Sequence, residues 1–152
     1  MSVATKLAEL GIEIPVASRP LAAYVPAVKV GQFVYTSGQL PMAGGELAAV
    51  GKVGGDVTVE QGYEAARLCA INCLAAVNTV SDMEKIIQVV KVTGFVNSAP
   101  GFTGQPQVMN GASELLVQVL GECGAHARSA VGMAELPRNA AVEVEMIFLM
   151  SE

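Results

Sequence analysis

The chain has 152 residues, enough for one domain with its own core, and a net charge of −5 from 9 Lys and Arg against 14 Asp and Glu. An acidic surface repels phosphate backbones and anionic lipid, and aromatics at 5% with no Trp leave little for a base to stack on, so neither nucleic acid nor membrane is an expected partner. Charged residues are only 15%, against roughly 25% in ordinary soluble domains, and mean hydropathy is +0.48; with no apolar run near the ~18 residues of a membrane-spanning helix, this shortage of polar surface predicts self-association.

The stretch to about residue 20 carries Lys6, Glu9 and Glu13 and no continuous apolar segment. It is expected to be an extension of the domain rather than a secretory signal, in a cytoplasmic protein. Residues 4–12 suit a short amphipathic helix ended by Gly11 and Pro15, after which Pro20 and Pro26 keep the chain extended. Val28 to Ser37 reads as two short strands around a turn at Gly31-Gln32, the second rich in aromatic and β-branched residues. Residues 38–56, punctuated by Gly44-Gly45, Gly51 and Gly54-Gly55, read as a loop.

Thr58-x-x-Gln61 is a capping box for the first long helix, whose stripe runs through Tyr63, Ala66, Ala70, Cys73, Leu74 and Val77. Ser81-x-x-Glu84 is a candidate second box before a single turn, and Ile86 to Val96 has the composition of a long strand. The second long helix is predicted from near Pro106, with Val108, Met109, Ala112, Leu115, Leu116, Val119 and Leu120 at helical period and Gly121 or Gly124 as its end. Residues 128–134 and 141–150 read as strands joined by a turn at Leu136-Pro137-Arg138-Asn139. The order β-β-α-β-α-β-β places two long helices on one face of a mixed sheet, an α+β fold whose other face, apolar in the last strand, must pack on something.

Few motifs in the chain carry chemistry. The glycine-rich loop fails as a phosphate cradle: Gly45 to Gly51-Lys52 is one residue too long, and Val53 stands where a magnesium-binding hydroxyl is required. There is no dinucleotide fingerprint, zinc-protease motif or nucleophile elbow. Cys69, Cys73 and Cys123, with a single His, are too few for a metal site and read as small reduced core residues. His126, in a Gly-Ala setting, reads as solvated.

In the last strand, alternation puts Glu143 and Glu145 on one face with Ile147 and Leu149. A carboxylate among aliphatic neighbours either sits in a wet cleft, where a raised pKa suits proton transfer, or marks a solvent-facing rim. Arg128 opens the preceding strand, and a hairpin through the 136–139 turn would set it beside Glu143. Its guanidinium is either a bidentate carboxylate anchor or half of an internal ion pair.

The stretch Ala127-Arg128-Ser129-Ala130-Val131, then Leu136-Pro137, then Val142-Glu143-Val144-Glu145, resembles the signature of the RidA/YjgF family of reactive-intermediate deaminases. Tyr24-Val25 with Val28, Thr36-Ser37-Gly38-Gln39-Leu40-Pro41 and Asn110 also match, so the resemblance covers about residues 21–149. It implies a chorismate-mutase-like fold assembled as a homotrimer, sheets packed into a central barrel and clefts between neighbouring subunits. It further implies that Arg128 binds the carboxylate of a 2-imino or 2-enamino acid and that Glu143 activates water. Tyr24, Ser37, Gly38, Asn110 and Ala130 would line or shape the cleft. No cofactor is implied, since an imine carbon is already electrophilic. The chain departs from the pattern in having Ala130 where many members have Cys, in the extension through about residue 20, and in an enlarged loop at residues 98–105; either addition could lie over a cleft.

Overall fold

A computed structural model describes residues 1–17 and 19–152. In chain order the elements are α1 (Val3–Glu9), β1 (Ala27–Val30), β2 (Phe33–Thr36), β3 (Met42–Ala43), β4 (Glu46–Leu47), α2 (Val59–Val77), β5 (Ile86–Asn97), α3 (Gln105–Leu120), β6 (Ala127–Met133) and β7 (Val142–Met150). The main sheet runs β1-β2-β7-β5-β6, antiparallel except for the parallel β5–β6 pair.

The hairpin expected between the last two strands does not form. β5 lies between β6 and β7, because the α3 crossover returns β6 parallel to the strand it left. The 136–139 segment then carries the chain past β5 instead of folding it back. It does so through Arg138 and Asn139, consecutive residues with φ of 58° and 57°. That conformation is uncommon for non-glycine residues, and the buried Asn97 braces it by donating to Asn139 Oδ1 and the Ala140 carbonyl.

The helices form where their signals lie. Thr58 and Gln61 complete the capping box of α2, each side chain accepting from the other residue's backbone N–H. The second predicted box is not made: Asp82, not Ser81, caps the short 3₁₀ turn Met83–Lys85. Glu84 turns instead to α1, where its two carboxylate oxygens accept from Val3 N at 2.9 Å and Ala4 N at 2.8 Å. This anion on a helix N-terminus, with Ser2 as N-cap, docks α1 against the domain, burying Val3 and Leu7.

α2 and α3 cover one face of the sheet. Under them lie Val142, Val144, Met146, Phe148 and Met150 of β7, with Val89, Val92 and Val96 of β5. Full burial of side chains such as Phe148, Leu74 and Leu115 stabilises by about 1.5–3 kcal/mol each. The helices approach closely because Gly111 has no side chain where the Tyr63 carbonyl crosses it. The predicted loop at 38–56 holds the small β3–β4 hairpin, turned by Gly44 and Gly45, both at positive φ.

The opposite face of the sheet has no cover among the described residues. Val28, Val30, Phe33, Tyr35 and Val131 are each more than a third exposed, with Val30 at 64%. Ile147 and Leu149 lie in register with Tyr35 and Phe33. This is the bare apolar face that the composition and topology predict.

Candidate functional site

Of the predicted site residues, Arg128 and Glu143 stand on opposite faces of the sheet. Arg128 stands in register with the buried Val92, so its side chain leaves the sheet on the helix side. There its Nη1 donates to Asn110 Oδ1 at 3.0 Å and to Ser113 Oγ at 3.1 Å, both on α3. Ala130, two residues on and therefore on the same face, lies beside Gly94 and packs against the core. Among the described residues no carboxylate reaches Arg128, and the only ion pairs are Lys6–Glu9 and Lys52–Glu135. The internal Arg128–Glu pair is thus not made. A part-buried guanidinium is held by neutral acceptors that leave its charge uncompensated.

Glu143 belongs to the other face. It pairs in register with Phe95, whose other neighbour is the exposed Val131. Burial lifts its carboxyl above the ordinary range, and the nearby Glu145 carboxylate adds to the shift. The shared face of Glu143, Glu145, Ile147 and Leu149 is as expected from alternation, Glu145 being the more exposed acid. Gly38 lies under the Glu143 carboxylate and leaves it room. Ser37 donates from Oγ to the Val25 carbonyl at 2.6 Å, and its N–H donates to Pro26, which ties the Tyr24 stretch to the end of β2.

Tyr24, Ser37 and Gly38 line a cleft of about 700 Å³. Its far wall is α2, at Leu68, Ile71 and Asn72, and its near rim is the N-terminal extension from Gly11 to Pro20. The extension therefore borders this cleft, whose lining does not include Glu143; residue 18 lies outside the described residues. The 98–105 loop does not: Phe102 packs on Gly54 and Gly104, and Gln105 binds Ser98 and the Phe102 carbonyl.

Sequence reasoning missed Ser113 and misread His126. His126 is part-buried, not solvated, with Nδ1 2.6 Å from the Gly124 carbonyl and Nε2 2.8 Å from Ser113 Oγ. The signals were present. Ser113 is three residues from Asn110 on a helix, and His126 is two residues from Arg128 on extended backbone; both spacings share a face. Burial pushes the Cys73 thiol up to about 12 and Cys69 well above its ordinary value, as inert core residues require. Among the described residues no group of three or more His, Cys, Asp or Glu is placed to hold a metal ion. Among the described residues no helix is long and apolar enough to cross a membrane.

Comparison with known proteins gives a consistent setting for this geometry. A family model described as "YjgF/chorismate mutase-like, putative endoribonuclease" matches residues 4–152. The chain is 44% identical over 147 residues to protein TCP17 of Trypanosoma cruzi, covering 95% of this chain and 92% of that one. It is 33% identical over 139 residues to a 2-iminobutanoate/2-iminopropanoate deaminase of Dermatophagoides farinae, covering 91% and 94%. The crystal structure of Atu1372, a protein of unknown function from Agrobacterium tumefaciens, superposes with a TM-score of 0.92 at 49% identity, covering 98% of this chain and 92% of that one. With a match over nearly its whole length and the mixed sheet and paired helices that the match requires, the chain belongs to the YjgF/chorismate-mutase-like family.

Proposed function

We propose that the protein is a hydrolytic deaminase of 2-imino and 2-enamino acids, releasing a 2-keto acid and ammonia, and that it works as a cytoplasmic homotrimer with clefts between subunits. The observation that carries this reading is the Arg128 guanidinium, part-buried and held by Asn110 and Ser113 with no acid among the described residues to neutralise it. It is a receptor for a small carboxylate. The deaminase relative from Dermatophagoides farinae supports the reaction class.

Arg128 and Glu143 lie on opposite faces with β5 between them, so one copy does not present both to one small molecule. The reading needs a second copy: β6, which carries Arg128, is an edge strand, and seating that edge against the bare apolar face of the next copy covers part of that face and brings Arg128 toward the next copy's Glu143. In such a cleft Arg128 of one copy holds the substrate carboxylate. Glu143 of the next takes a proton from water as the water oxygen bonds to the C=N carbon, the π pair moves to nitrogen, and Glu143 hands nitrogen that proton, giving the carbinolamine. The carbinolamine then collapses: Glu143 takes the hydroxyl proton as the C=O of the keto acid forms, the C–N bond breaks with its pair on nitrogen, and Glu143 returns that proton to the departing ammonia. An enamine first takes a proton on carbon to become the imine. The raised Glu143 carboxyl suits a group that must both accept and return a proton.

The test is ammonia release from freshly generated 2-iminopropionate. Arg128→Ala with its assembly intact is expected to lose this activity by about 100-fold or more; full activity in that variant removes the mechanism. Ala130, where many relatives carry a thiol, favours a second reading: a carboxylate-binding protein without turnover. That reading predicts Arg128-dependent thermal stabilisation by keto acids and no ammonia. The endoribonuclease in the family's description finds less support in a chain of net charge −5.

A further inference from the structure

We propose that His126 and Ser113 are positioning residues for Arg128, a relay that fixes which edge of its guanidinium receives the substrate carboxylate; the inference rests on the reading of Arg128 given above. The relay is short and fully connected: Gly124 carbonyl to His126 Nδ1 at 2.6 Å, His126 Nε2 to Ser113 Oγ at 2.8 Å, Ser113 Oγ to Arg128 Nη1 at 3.1 Å, and Arg128 Nη1 to Asn110 Oδ1 at 3.0 Å.

The direction of each bond follows from what the groups can do. A carbonyl oxygen only accepts, so Nδ1 of His126 carries the hydrogen there. In the neutral ring Nε2 is then an acceptor, and the single hydroxyl hydrogen of Ser113 points at it. That leaves the lone pairs of Ser113 Oγ, and nothing else, facing Arg128. A serine hydroxyl without such a partner turns freely and presents its own hydrogen to the cation for part of the time. The histidine thus makes Ser113 a permanent acceptor.

The consequence falls on the arginine. Both hydrogens of Nη1 are spent, one on Ser113 and one on Asn110. Of the forks a guanidinium can offer, only the Nε–Nη2 edge keeps two parallel N–H groups free. The carboxylate is therefore taken side-on by Nε and Nη2, with the rest of the substrate held at one angle to the sheet. Because all partners in the relay are neutral, they orient the cation without competing for its charge.

Pyruvate, the product of the simplest imino acid of this class, serves as the probe, with binding measured by calorimetry well below the melting temperature. Ser113→Ala and His126→Ala are each expected to weaken pyruvate binding about 5- to 20-fold, and to raise KM for 2-iminopropionate by a similar factor with kcat within twofold. His126→Gln, whose Oε1 can still accept from Ser113, is expected to restore most of the loss. Heteronuclear NMR spectra of the arginine side chains provide a readout independent of ligand. The chain has four arginines, Arg19, Arg67, Arg128 and Arg138, and the Arg128 Nη1 protons are expected to exchange slowly in the native chain and rapidly in His126→Ala. Wild-type pyruvate affinity and an unchanged Arg128 spectrum in His126→Ala overturn the relay, even if that variant melts earlier. A chain whose pyruvate binding is absent or indifferent to Arg128→Ala overturns the underlying reading instead, while the spectra still decide whether the relay holds Arg128.

Discussion

Gly38 lies directly beneath the Glu143 carboxylate: a β-carbon at Gly38 would stand 2.5 Å from Glu143 Oε1 and 2.9 Å from its Cδ. The backbone at Gly38 is not at positive φ, so alanine fits the chain there and the clash falls on the end of a flexible side chain. Gly38→Ala is therefore expected to move the carboxylate while changing stability by less than about 1 kcal/mol. On the proposed deaminase reading, a displacement of this order is expected to lower ammonia release by about 10- to 100-fold. Ammonia release set beside urea unfolding checks both halves.

The raised Glu143 carboxyl also makes a pH prediction. Between its ordinary value and the raised folded one, the folded chain holds more protons than the unfolded chain, so stability falls as pH rises through that window. The cost is absent below the ordinary value and fully present above the raised one. Glu143→Gln is expected to flatten this dependence and to be slightly more stable than the parent at neutral pH, the gain being small because solvent screens the part-buried group. The same variant is expected to lose about 10²–10⁴ in activity. Urea midpoints across the acid range, beside turnover at neutral pH, provide the check.

Thiol chemistry separates the three cysteines. Cys69 and Cys73 are fully buried with pKa values pushed up, Cys73 to about 12, while Cys123 is partly exposed. A disulfide reagent at mildly alkaline pH is expected to titrate one thiol rapidly in the native protein and all three in denaturant. Rapid modification of a Cys123→Ser variant would contradict the buried placement.

Glu84 is expected to hold the N-terminal extension in place. Replacing it with Ala removes two charge-assisted hydrogen bonds to the first turn of α1 and costs its docking about 1–2 kcal/mol. Trypsin is then expected to cut faster after Lys6 and Arg19 than in the parent chain, and the Val3–Glu9 amides to exchange faster, with the core melt little changed.

Much of the fold was legible because its signals are local. Thr58 and Gln61 sit three apart, the stripes of α2 and α3 keep helical period, and β7 alternates strictly from Val142 to Met150. Arg128, Glu143, Gly38 and Asn110 were singled out as candidates by alternation and motif, and the resemblance implied roles for them. What failed was the relation between them. The Leu136–Asn139 turn looks like a hairpin turn from sequence, but whether the next strand lands beside β6 or beyond β5 is a matter of crossover geometry that no local spacing records. Glu84 was read as a cap for its own turn because its real partners, Val3 and Ala4, lie some eighty residues away. His126 was misread because burial and partners, which separate a solvated imidazole from a held one, are properties of the folded chain.

That the cation and the acid stand on opposite sides of a five-stranded sheet has a genetic consequence on the trimer reading. Arg128→Ala and Glu143→Gln should each be inert alone, yet chains of the two kinds, unfolded and refolded together, should complement one another. Wherever a subunit lending an intact guanidinium adjoins one lending an intact carboxylate, a complete catalytic pair is rebuilt. Random mixing in equal amounts should recover about a quarter of the parental sites.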